Sequence, residues 1–421
     1  MASWEAGAEG SPCARGSRCW QLALAAVDPC WLMRERAAGT APALVIALGK
    51  AAGPMLTGYL QAARAEPVHA VLVRPVDSPS LPPGWIERLG PRLQEFEGGH
   101  PDPNAASLQA GAALLSAARR CAADAIPLVA LISGGGSALA EVPPQGGLAE
   151  LRAFNRRLVS SGAVIGDINC IRKHRSALKG GHLAAAAAGV SQTSWILSDV
   201  PTGEWANVAS GPTCPDASTQ ADFEAAWRRW LAGEPEQHPE TPKPGDAIFA
   251  SAQWHCLADN RDACAALAAA VRNEGYDSVV VDNTADEWEE EPAAEYLLAR
   301  WRALRATQPR AALVAGGEVR VRLRADHGRG GRNLSLALRL ALALEGQPGC
   351  FISAGTDGVD GSSDAAGACV DGSTAARIRA AGLDPAGYLR RQDSHTALAA
   401  AGALLHTGPT GNNLRDLRLF L

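Results

Sequence analysis

Short apolar runs recur along the chain, each followed by a glycine-rich turn and then by an alanine- and leucine-rich segment. In the first half these runs are Leu44–Leu48, Leu128–Ile132 and 195–197. They show no alternation of polar and apolar residues, which is typical of strands buried on both faces of a parallel sheet. Residues 51–60, after the first run, have the pattern of a helix. This repetition predicts a doubly wound α/β fold.

The same rhythm resumes in the second half of the chain. There we predict the strands 278–281, 311–314 and 351–353 and the helices 263–273, 293–306 and 333–344. Between the halves, residues 233–245 are proline-rich and polar, which is typical of a linker. We therefore predict a flexible tail at 1–17, an N-terminal α/β domain at 18–240 and a C-terminal α/β domain at 241–421.

The composition limits the classes of partner that the protein is expected to have and leaves the predicted fold class unchanged. The 421 residues are 47% hydrophobic and 20% charged, with a formal net charge of -5, which gives no reason to expect nucleic acid or an anionic membrane as a partner. No apolar run reaches the roughly 18 residues of a membrane helix. The ten cysteines contain no CxxC pair, so we expect reduced thiols in a cytoplasmic protein that acts on a small molecule.

Polar, glycine-rich clusters stand at the ends of the predicted strands, where open α/β sheets bind ligands. Three glycines in one such cluster let backbone amides approach an anion, and a helix start after them would add a favourable dipole. A tight turn is the alternative. This cluster is Ser133, Gly134, Gly135, Gly136 and Ser137.

Charged residues accompany three other strand ends. Lys50 follows the first strand and suits a transferring phosphoryl group as a point charge, although a surface lysine is the alternative. Arg332 closes a glycine-rich stretch at 328–333 that is otherwise consistent with a solvent loop. Asp357 and Asp360 lie between glycines in 355–361, where a carboxylate can bind Mg²⁺ or act as a general base.

Several familiar catalytic motifs are missing from the sequence. There is no GxGxxG motif, which argues against a nicotinamide-dependent enzyme. The sequence also has no GxxxxGK[ST] motif and no protein-kinase catalytic loop. No GxSxG elbow anchors a hydrolase triad. A kinase with this sequence must therefore belong to a separate class.

Taken together, the motifs resemble the type II glycerate 2-kinases, whose C-terminal half is called the MOFRL domain. The resemblance covers residues 20–420 and ten motifs in one order. The motifs are LGKAAGPM at 48–55, GGHPDPN at 98–104, SGGGSAL at 133–139, INCIRKHRSALKGGHL at 168–183, SDVP at 198–201, ASGPTCPD at 209–216, AGGEV at 315–319, GRGGRN at 328–333, GTDGVDGSSDAAGA at 355–368 and HTGPTGNN at 406–413.

The resemblance implies two α/β/α domains, the first Rossmann-like with a mostly parallel sheet, and an active cleft between them. It implies ATP and Mg²⁺ and phosphorylation of D-glycerate at the C2 hydroxyl to 2-phosphoglycerate. Two rival readings stay open. Members of this family have carried the label hydroxypyruvate reductase, an oxidoreductase, and the chain could also be an impaired member that only binds nucleotide. The sequence does not reveal the oligomeric state.

The resemblance also implies residue roles. Lys50 and Arg332 would be the catalytic cations, and Asp199 and Asp357 would bind metal or activate the hydroxyl. The 133–137 loop would face the nucleotide together with Gly316, Gly317 and Glu318. Lys179 would contact nucleotide phosphate, and the basic run Arg172, Lys173 and His174 beside it suits phosphate, the substrate carboxylate or a solvated helix face.

Four positions depart from the family pattern, and they bear on activity rather than on membership. Thr202-Gly203-Glu204 replaces the usual Gly-Asp-Asp, Ser335 replaces a glutamate, and Asn412 replaces a threonine. Gln392-Asp393-Ser394 stands for the usual Asn-Asp-Ser. Because the cations and glycine loops are intact, we expect an active enzyme.

Overall fold

The computed structural model describes residues 11–37 and 42–421. The chain divides into two compact units, each with its own sheet. The first unit is Pro29–Leu257, and the second combines Met1–Asp28 with Ala258–Leu421. In the described residues, no helix is both long and apolar enough to cross a membrane.

The strands of the described residues form two six-stranded sheets. The strands of the first sheet are β1 (Leu44–Leu48), β2 (His69–Pro75), β3 (Leu93–Gly98), β4 (Leu128–Ile132), β5 (Gln192–Leu197) and β6 (Ala252–Ala258). Those of the second are β7 (Ser278–Val281), β8 (Ala311–Gly317), β9 (Cys350–Gly355), β10 (Gly367–Asp371), β11 (Leu404–Leu405) and β12 (Asp416–Phe420).

Helices fill the connections between the strands. They are α1 (Pro12–Ala26), α2 (Pro29–Arg36), α3 (Ala52–Ala62), α4 (Pro83–Leu89), α5 (Ala105–Asp124), α6 (Gly136–Leu139), α7 (Leu148–Ser160), α8 (Ile165–His174), α9 (His182–Ala186), α10 (Gln220–Trp230), α11 (Asn260–Asn273), α12 (Glu290–Thr307), α13 (Arg332–Ala343), α14 (Thr374–Ala380), α15 (Pro385–Arg390) and α16 (Ser394–Ala400). Short 3₁₀ turns occur at Gly90–Arg92, Trp205–Ser210 and Ala247–Phe249.

The first sheet has the strand order β3-β2-β1-β4-β5-β6, and β1 to β5 run parallel. The chain moves outward from β1 to β3 and then returns to place β4 on the other side of β1. Every residue of β1 and β4 is buried, as their unbroken apolar runs predict. The strand ends of β1 and β4 therefore flank the point where the order reverses, which is where such sheets bind ligands.

The second sheet is mixed, with the order β11-β10-β9-β12-β8-β7. Only β7 and β8 pair in parallel, and β12 runs antiparallel between β8 and β9. Asp416, the first residue of β12, lies opposite both Gly317 at the end of β8 and Gly355 at the end of β9. The register thus brings the carboxyl ends of two strands and the start of a third to one edge.

The sequence predicted the buried parallel strands well. The predicted strands at 44–48, 128–132 and 278–281 coincide with β1, β4 and β7, and the α/β fold class is confirmed. The edge strands β3 and β6, the interior strand β2 and the antiparallel strands β10 to β12 were not predicted. β3 is only partly buried, and β11 has two residues, so neither carries a long apolar run.

The predicted tail was wrong for residues 12–17, while 1–10 lie outside the described residues. Ser11 caps α1 by accepting a hydrogen bond from the amide of Ala14 at 3.1 Å, and Pro12 occupies the first helical position. Small residues then pack closely: a Cβ on Gly16 would lie 2.8 Å from Ile352 on β9. Helix α1 is therefore a packed part of the second unit.

The compact units also differ from the predicted division at 240/241. Residues 233–245 pack within the first unit, because Glu236 pairs with Arg175 at 2.7 Å and Thr241 donates to Asp216 at 3.0 Å. Strand β6, which follows them, is the edge strand of the first sheet. The proline-rich segment is therefore a packed loop, and its polar composition reflects pairing with α8 and its neighbours.

Candidate active site

The ends of β1 and β4 form one connected structure in the first unit. The strands pair with Leu48 opposite Ile132, so the residues that follow lie side by side. The amide of Lys50 donates to the carbonyl of Gly134 at 2.9 Å, and the amide of Ala51 donates to Ser133 Oγ at 3.0 Å. The predicted lysine and the start of the predicted glycine loop are thus held together by the backbone.

Three backbone amides in the loop after β4 lack a hydrogen-bond acceptor in the part of the chain that the structure describes. Among the described residues, none accepts a hydrogen bond from the amides of Gly135, Gly136 or Ser137. Gly135 has φ +83°, and a Cβ there would lie 3.2 Å from the ring of His100 and 3.3 Å from Lys50 Cγ. Both the backbone conformation and the closeness of His100 and Lys50 therefore favour glycine at this position.

The helix after this loop is shorter than the sequence suggested. Helix α6 spans four residues, Gly136–Leu139, so its dipole adds little to anion binding. Anion binding by the loop would instead rest on its individual amide groups and on Lys50. Ser137 Oγ is anchored to Ser210 Oγ at 2.7 Å, which ties the loop to the 3₁₀ turn at Trp205–Ser210.

A cavity of about 690 Å³ lies beside this loop, entirely within the first unit. Asp199, which follows β5, is on its wall. The polar and charged residues on the wall are His100, Asp102, Ser137, Glu141, Asn155, Arg156, Ser160, Asn169, Arg172, Asp199 and Asn207. The cavity is therefore mixed in charge, with cations and carboxylates facing one space.

Arg172 differs from the other cations of the basic run. Lys173 donates to Asn207 at 2.9 Å and pairs with Asp216 at 3.1 Å, while His174 contacts the Cys170 carbonyl and Glu240. Arg172 lines the cavity and makes no hydrogen bond or ion pair with any residue that the structure describes.

Burial lowers the pKa of the Arg172 guanidinium, against the opposing effect of Glu141. A partly desolvated cation on a cavity wall is a favourable position for an anionic group of a ligand.

Lys179 is occupied by a protein carboxylate. Its side chain is 1% exposed and forms an ion pair with Glu141, which also accepts from Ser176 Oγ. Burial lowers the pKa of Lys179, and Glu141 opposes that effect. Glu141 lines the cavity, whereas Lys179 is not among the lining residues. Nucleotide contact by Lys179 stays a prediction, and the geometry gives this lysine the task of holding Glu141.

In the second unit, Arg332 binds two carboxylates at the sheet edge described above. It opens α13 and makes a bidentate pair with Asp416 at 2.7 and 3.0 Å and a bond to Glu318 at 2.8 Å. Burial lowers its pKa, but Asp416 and Glu318 outweigh burial and raise that pKa above the ordinary value. Arg332 is therefore rigidly oriented, and its side chain remains about a third exposed.

Asp357 lies next to this ion pair, at the end of β9. A Cβ on Gly355 would lie 3.1 Å from Asp357 Oδ1 and 3.6 Å from Asp416 Oδ1, so both carboxylates converge on one point. Asp357 Oδ1 also accepts from the Val359 amide at 3.2 Å. The predicted residues Arg332, Glu318 and Asp357 thus belong to one cluster, completed by Asp416.

The turn after β8 differs from the loop after β4, although both are glycine-rich. Side chains already accept hydrogen bonds from its three amides: Asn283 from Gly316 at 2.7 Å, Asn260 from Gly317 at 2.8 Å and Asp286 from Glu318 at 2.8 Å. These amides therefore cannot cradle a phosphate without losing protein bonds. Any nucleotide contact of Gly316, Gly317 and Glu318 would have to involve the Glu318 side chain.

The sequence analysis missed Asp416 and assigned no definite role to Asp360. Asp360 is buried and accepts hydrogen bonds from the amides of Asn333 at 3.1 Å and Leu334 at 2.8 Å, so it caps α13. Burial raises its pKa to about 6. Asp416 had one sequence signal, since it interrupts a C-terminal run of strand-forming residues directly after Arg415.

The departures from the family pattern have separate surroundings. Ser335 donates to the buried Glu290 at 2.7 Å, and Asn412 donates to the Val27 carbonyl at 2.9 Å. Glu204 is exposed just before the 3₁₀ turn, and Gln392 donates to the Arg322 carbonyl at 2.7 Å and accepts from the Arg324 amide at 2.9 Å. Ser335, Asn412 and Gln392 therefore each have hydrogen-bond partners of their own in the folded chain.

Both halves of this chain match families of known proteins. Residues 16–238 match the family described as "Domain of unknown function (DUF4147)", and residues 311–416 match the MOFRL family. The D-glycerate 2-kinase of Thermotoga maritima is 34% identical over 89% of each chain. A protein of Agrobacterium vitis named putative hydroxypyruvate reductase is 40% identical, over 78% of this chain and 77% of its own.

A solved structure has the same fold. The crystal structure of the glycerate kinase of Thermotoga maritima superposes with a TM-score of 0.85 at 31% sequence identity, covering 97% of this chain and 99% of that one. The two family matches lie in the first and second halves of the chain, in the order that the motifs predicted. The protein belongs to the type II glycerate 2-kinase family, which carries the C-terminal MOFRL domain.

Proposed function

We propose that this protein is a D-glycerate 2-kinase that transfers the γ-phosphoryl group of ATP to the C2 hydroxyl, giving 2-phosphoglycerate and ADP. Curated relatives named D-glycerate 2-kinase and glycerate 2-kinase, at 34% and 33% identity over 89% of the chain, support the reaction. The observation that carries the proposal is the open amides of Gly135, Gly136 and Ser137 beside Lys50, at the wall of a cavity that also holds Arg172.

The loop after β4 fits the phosphates of a nucleotide. The amides of Gly135, Gly136 and Ser137 are donors without an acceptor among the described residues, and Gly135 has the positive φ that favours glycine. The strand order 3-2-1-4-5-6 is that of Rossmann-like sheets, which bind nucleotides at this reversal point. Lys50 would place a positive charge beside the same space, so amides and ammonium would together neutralise phosphate charge.

Arg172 suits the carboxylate of the acceptor. A guanidinium can bind a carboxylate through two parallel hydrogen bonds, and no described protein carboxylate occupies this one. Asn155 and Asn169 on the same wall offer amide groups to hydroxyls. These features fit a small acid that carries hydroxyl groups, as glycerate does.

Phosphoryl transfer depends on position and charge more than on covalent help from the protein. Lys50 would stabilise charge that develops on the transferring group. Asp199 is our preferred acceptor for the C2-hydroxyl proton, because it lines the cavity with Arg172. Arg332 remains our second catalytic cation, held by Asp416 and Glu318.

Mg²⁺ would enter with ATP and offset phosphate charge. Asp199 and Asp357 remain the candidates to hold it, because carboxylate oxygens are the ligands that Mg²⁺ prefers.

The deciding experiment uses the purified full chain with ATP, Mg²⁺ and D-glycerate, and identifies the product by phosphorus NMR. We expect the resonance and proton coupling of a phosphate on C2. A phosphate on C3 would contradict the position of transfer, and no phosphorylated product would contradict the kinase.

Two further arms separate the rival functions. Incubation with hydroxypyruvate and reduced nicotinamide should leave nicotinamide absorbance unchanged, whereas its loss would support the reductase name carried by the Agrobacterium vitis relatives. ATP–Mg²⁺ should raise the melting temperature, since a ligand that binds the folded state stabilises it by mass action. A thermal shift without turnover would indicate an impaired, nucleotide-binding member.

A further inference from the structure

Three cysteines from distant parts of the sequence meet in the second unit. Cys13 lies in the first turn of α1, Cys350 begins β9 and Cys369 lies in β10. Their sulfur atoms all lie within 4.8 Å of one another, and the Sγ atoms of Cys350 and Cys369 are 3.4 Å apart. This cluster is not part of the proposed kinase machinery, and the lack of any CxxC pair hid it in the sequence.

The sheet register explains why the thiols share a face. β9 and β10 are antiparallel neighbours in which Cys350 lies opposite Asp371. Cys369 is two residues before Asp371, so its side chain is on the same face as those two. Helix α1 contacts both strands and brings Cys13 to that face. The cluster is thus carried by two paired strands and a helix, which are rigid supports.

A fourth donor is directed at the cluster. Asp371 Oδ2 lies 4.0 Å from Cys13 Sγ. The other carboxylate oxygen, Oδ1, accepts from the Ser373 amide at 2.9 Å, from Ser373 Oγ at 2.7 Å and from Thr374 Oγ1 at 3.1 Å. The same oxygen pairs with Arg377 at 3.4 Å, so the carboxylate is held through Oδ1, with Oδ2 beside Cys13 Sγ.

We propose that Cys13, Cys350, Cys369 and Asp371 form a tetrahedral site for a thiophilic divalent cation, with Zn²⁺ as the expected ion. A zinc–sulfur distance of about 2.3 Å puts neighbouring sulfur atoms about 3.8 Å apart in a tetrahedron. That spacing falls between the 3.4 Å contact and the 4.8 Å limit of the cluster. Movements of about 1 Å or less would therefore bring the three sulfur atoms to tetrahedral spacing, and Asp371 would supply the fourth ligand from its position beside Cys13.

Burial and charge agree with this assignment. Cys350 is fully buried and Cys369 is 8% exposed. A buried group of thiols needs a compensating positive charge when it is deprotonated, and a divalent cation would supply that charge.

The site would be structural. Three thiolates and one carboxylate occupy all four positions of a tetrahedral ion, so none remains for a substrate. The ion would join the first turn of α1 to β9 and β10, which are more than 300 residues away in the sequence. Its loss should therefore lower the stability of the second unit.

The test measures zinc in the full chain, purified under reducing conditions without chelators. We expect about one zinc per chain by mass spectrometry, as the one-site proposal requires. The Cys13→Ser variant should lose at least a hundredfold in zinc affinity, since even groups that only orient ligands contribute roughly 10–100-fold. The matched control is Cys256→Ser, which alters an exposed cysteine of β6 and should leave zinc content unchanged.

Cobalt substitution counts the thiolates directly. Co²⁺ bound to the wild-type chain should show thiolate-to-metal absorption in the near ultraviolet. Asp371→Asn should keep this absorption while weakening binding by roughly tenfold or more. If Cys13→Ser fails to fold, the metal affinity of Asp371→Asn and the competition of a chelator for metal bound to the wild type still test the site.

Three results would overturn the site. One is a chain with all thiols titrated as reduced that binds neither zinc nor cobalt. Another is a Cys350–Cys369 disulfide in the purified protein. The third is zinc retained at full affinity by folded Cys13→Ser, which would place the ion elsewhere.

Discussion

At the scale of single residues, partners decide what each cation does. Arg172, Lys173 and Lys179 lie within one short stretch of sequence and look alike there. In the structure Lys173 is bound by Asp216 and Lys179 by Glu141, while Arg172 lines the cavity. The sequence shows the basic run, but only the ion pairs in the folded structure reveal that Arg172 is the residue that suits an anionic ligand.

Lys50 is expected to act on the rate of transfer. Replacing Lys50 with Ala should lower kcat by roughly a hundredfold or more, the range for losing one preorganised charge contact in a transition state. The measurement is steady-state kinetics with ATP and D-glycerate. The exposed Arg120→Ala, which removes only a surface pair with Asp124, is the matched control and should keep wild-type kcat. A normal kcat for the Lys50 variant would contradict its catalytic role.

Arg172 is expected to act on acceptor binding. Arg172→Ala should raise the KM for glycerate by roughly 10–100-fold, because hydrogen bonds to a charged group contribute about 1.5–3 kcal/mol. The KM for ATP should change little, and Arg172→Lys should recover part of the loss by restoring charge without the fork. An equal rise in both KM values would assign Arg172 to general folding of the cavity instead.

Asp360 makes stability depend on pH. Its folded pKa of about 6 exceeds the unfolded value of about 3.9, so the folded state binds more protons between these values. Its contribution is fully present below pH 4 and is lost as the pH rises through 6. The free energy of unfolding of the wild type, relative to Asp360→Asn, should therefore fall by up to about 3 kcal/mol between pH 4 and 7.

Urea unfolding of both proteins at the two pH values measures this difference. Asp124→Asn changes an exposed surface carboxylate and is the control, with an expected effect below about 0.5 kcal/mol at either pH. A difference between wild type and Asp360→Asn that is constant with pH would contradict the raised pKa.

At the scale of elements, two glycine-rich turns with similar sequences have opposite hydrogen-bonding states. The turn after β8 has its amides bound by Asn260, Asn283 and Asp286, whereas the loop after β4 has amides without a described acceptor. The strand-end rule predicted both positions. It could not predict the difference, because the acceptors come from α11 and from the segment after β7, brought in by folding.

Gly49 should prove indispensable where β1 meets β4. It has φ +127°, and a Cβ there would lie 2.2 Å from Ser133 Oγ and 2.4 Å from the Ser133 carbonyl oxygen. Gly49→Ala should therefore destabilise the protein by more than about 2 kcal/mol and reduce kinase activity. Gly84→Ala, in α4 with open space around it, is the matched control and should be neutral or slightly stabilising in urea unfolding. Equal stability of the two variants would disprove the constraint.

At the scale of the whole molecule, the two compact units do not follow the simple division of the sequence into halves. Helix α1 belongs to the unit that contains β7 to β12, and β6 belongs to the first sheet. Composition placed the boundary at the proline-rich segment, since proline and polar residues are typical of linkers. Ion pairs such as Arg175–Glu236 make that segment part of the first unit.

Fragments should reflect these units. A fragment of residues 29–257 should unfold cooperatively in urea, because it contains the complete first sheet up to Leu257. A fragment of residues 18–240 should be less stable or aggregate, because it lacks β6 and exposes the edge of β5. Circular dichroism during urea titration provides the comparison, and equal unfolding midpoints would contradict the importance of β6.

The sequence by itself determined the strands β1, β4 and β7, the strand-end loops and the family. These depend on local features, namely unbroken apolar runs and glycine clusters, which can be read from neighbouring residues. Tertiary structure alone decided that Asp416 holds Arg332, that Arg172 faces the cavity and that Cys13 meets Cys350 and Cys369. Those contacts join residues from distant segments of the chain. A local sequence pattern does not indicate which distant charges and thiols come together on folding.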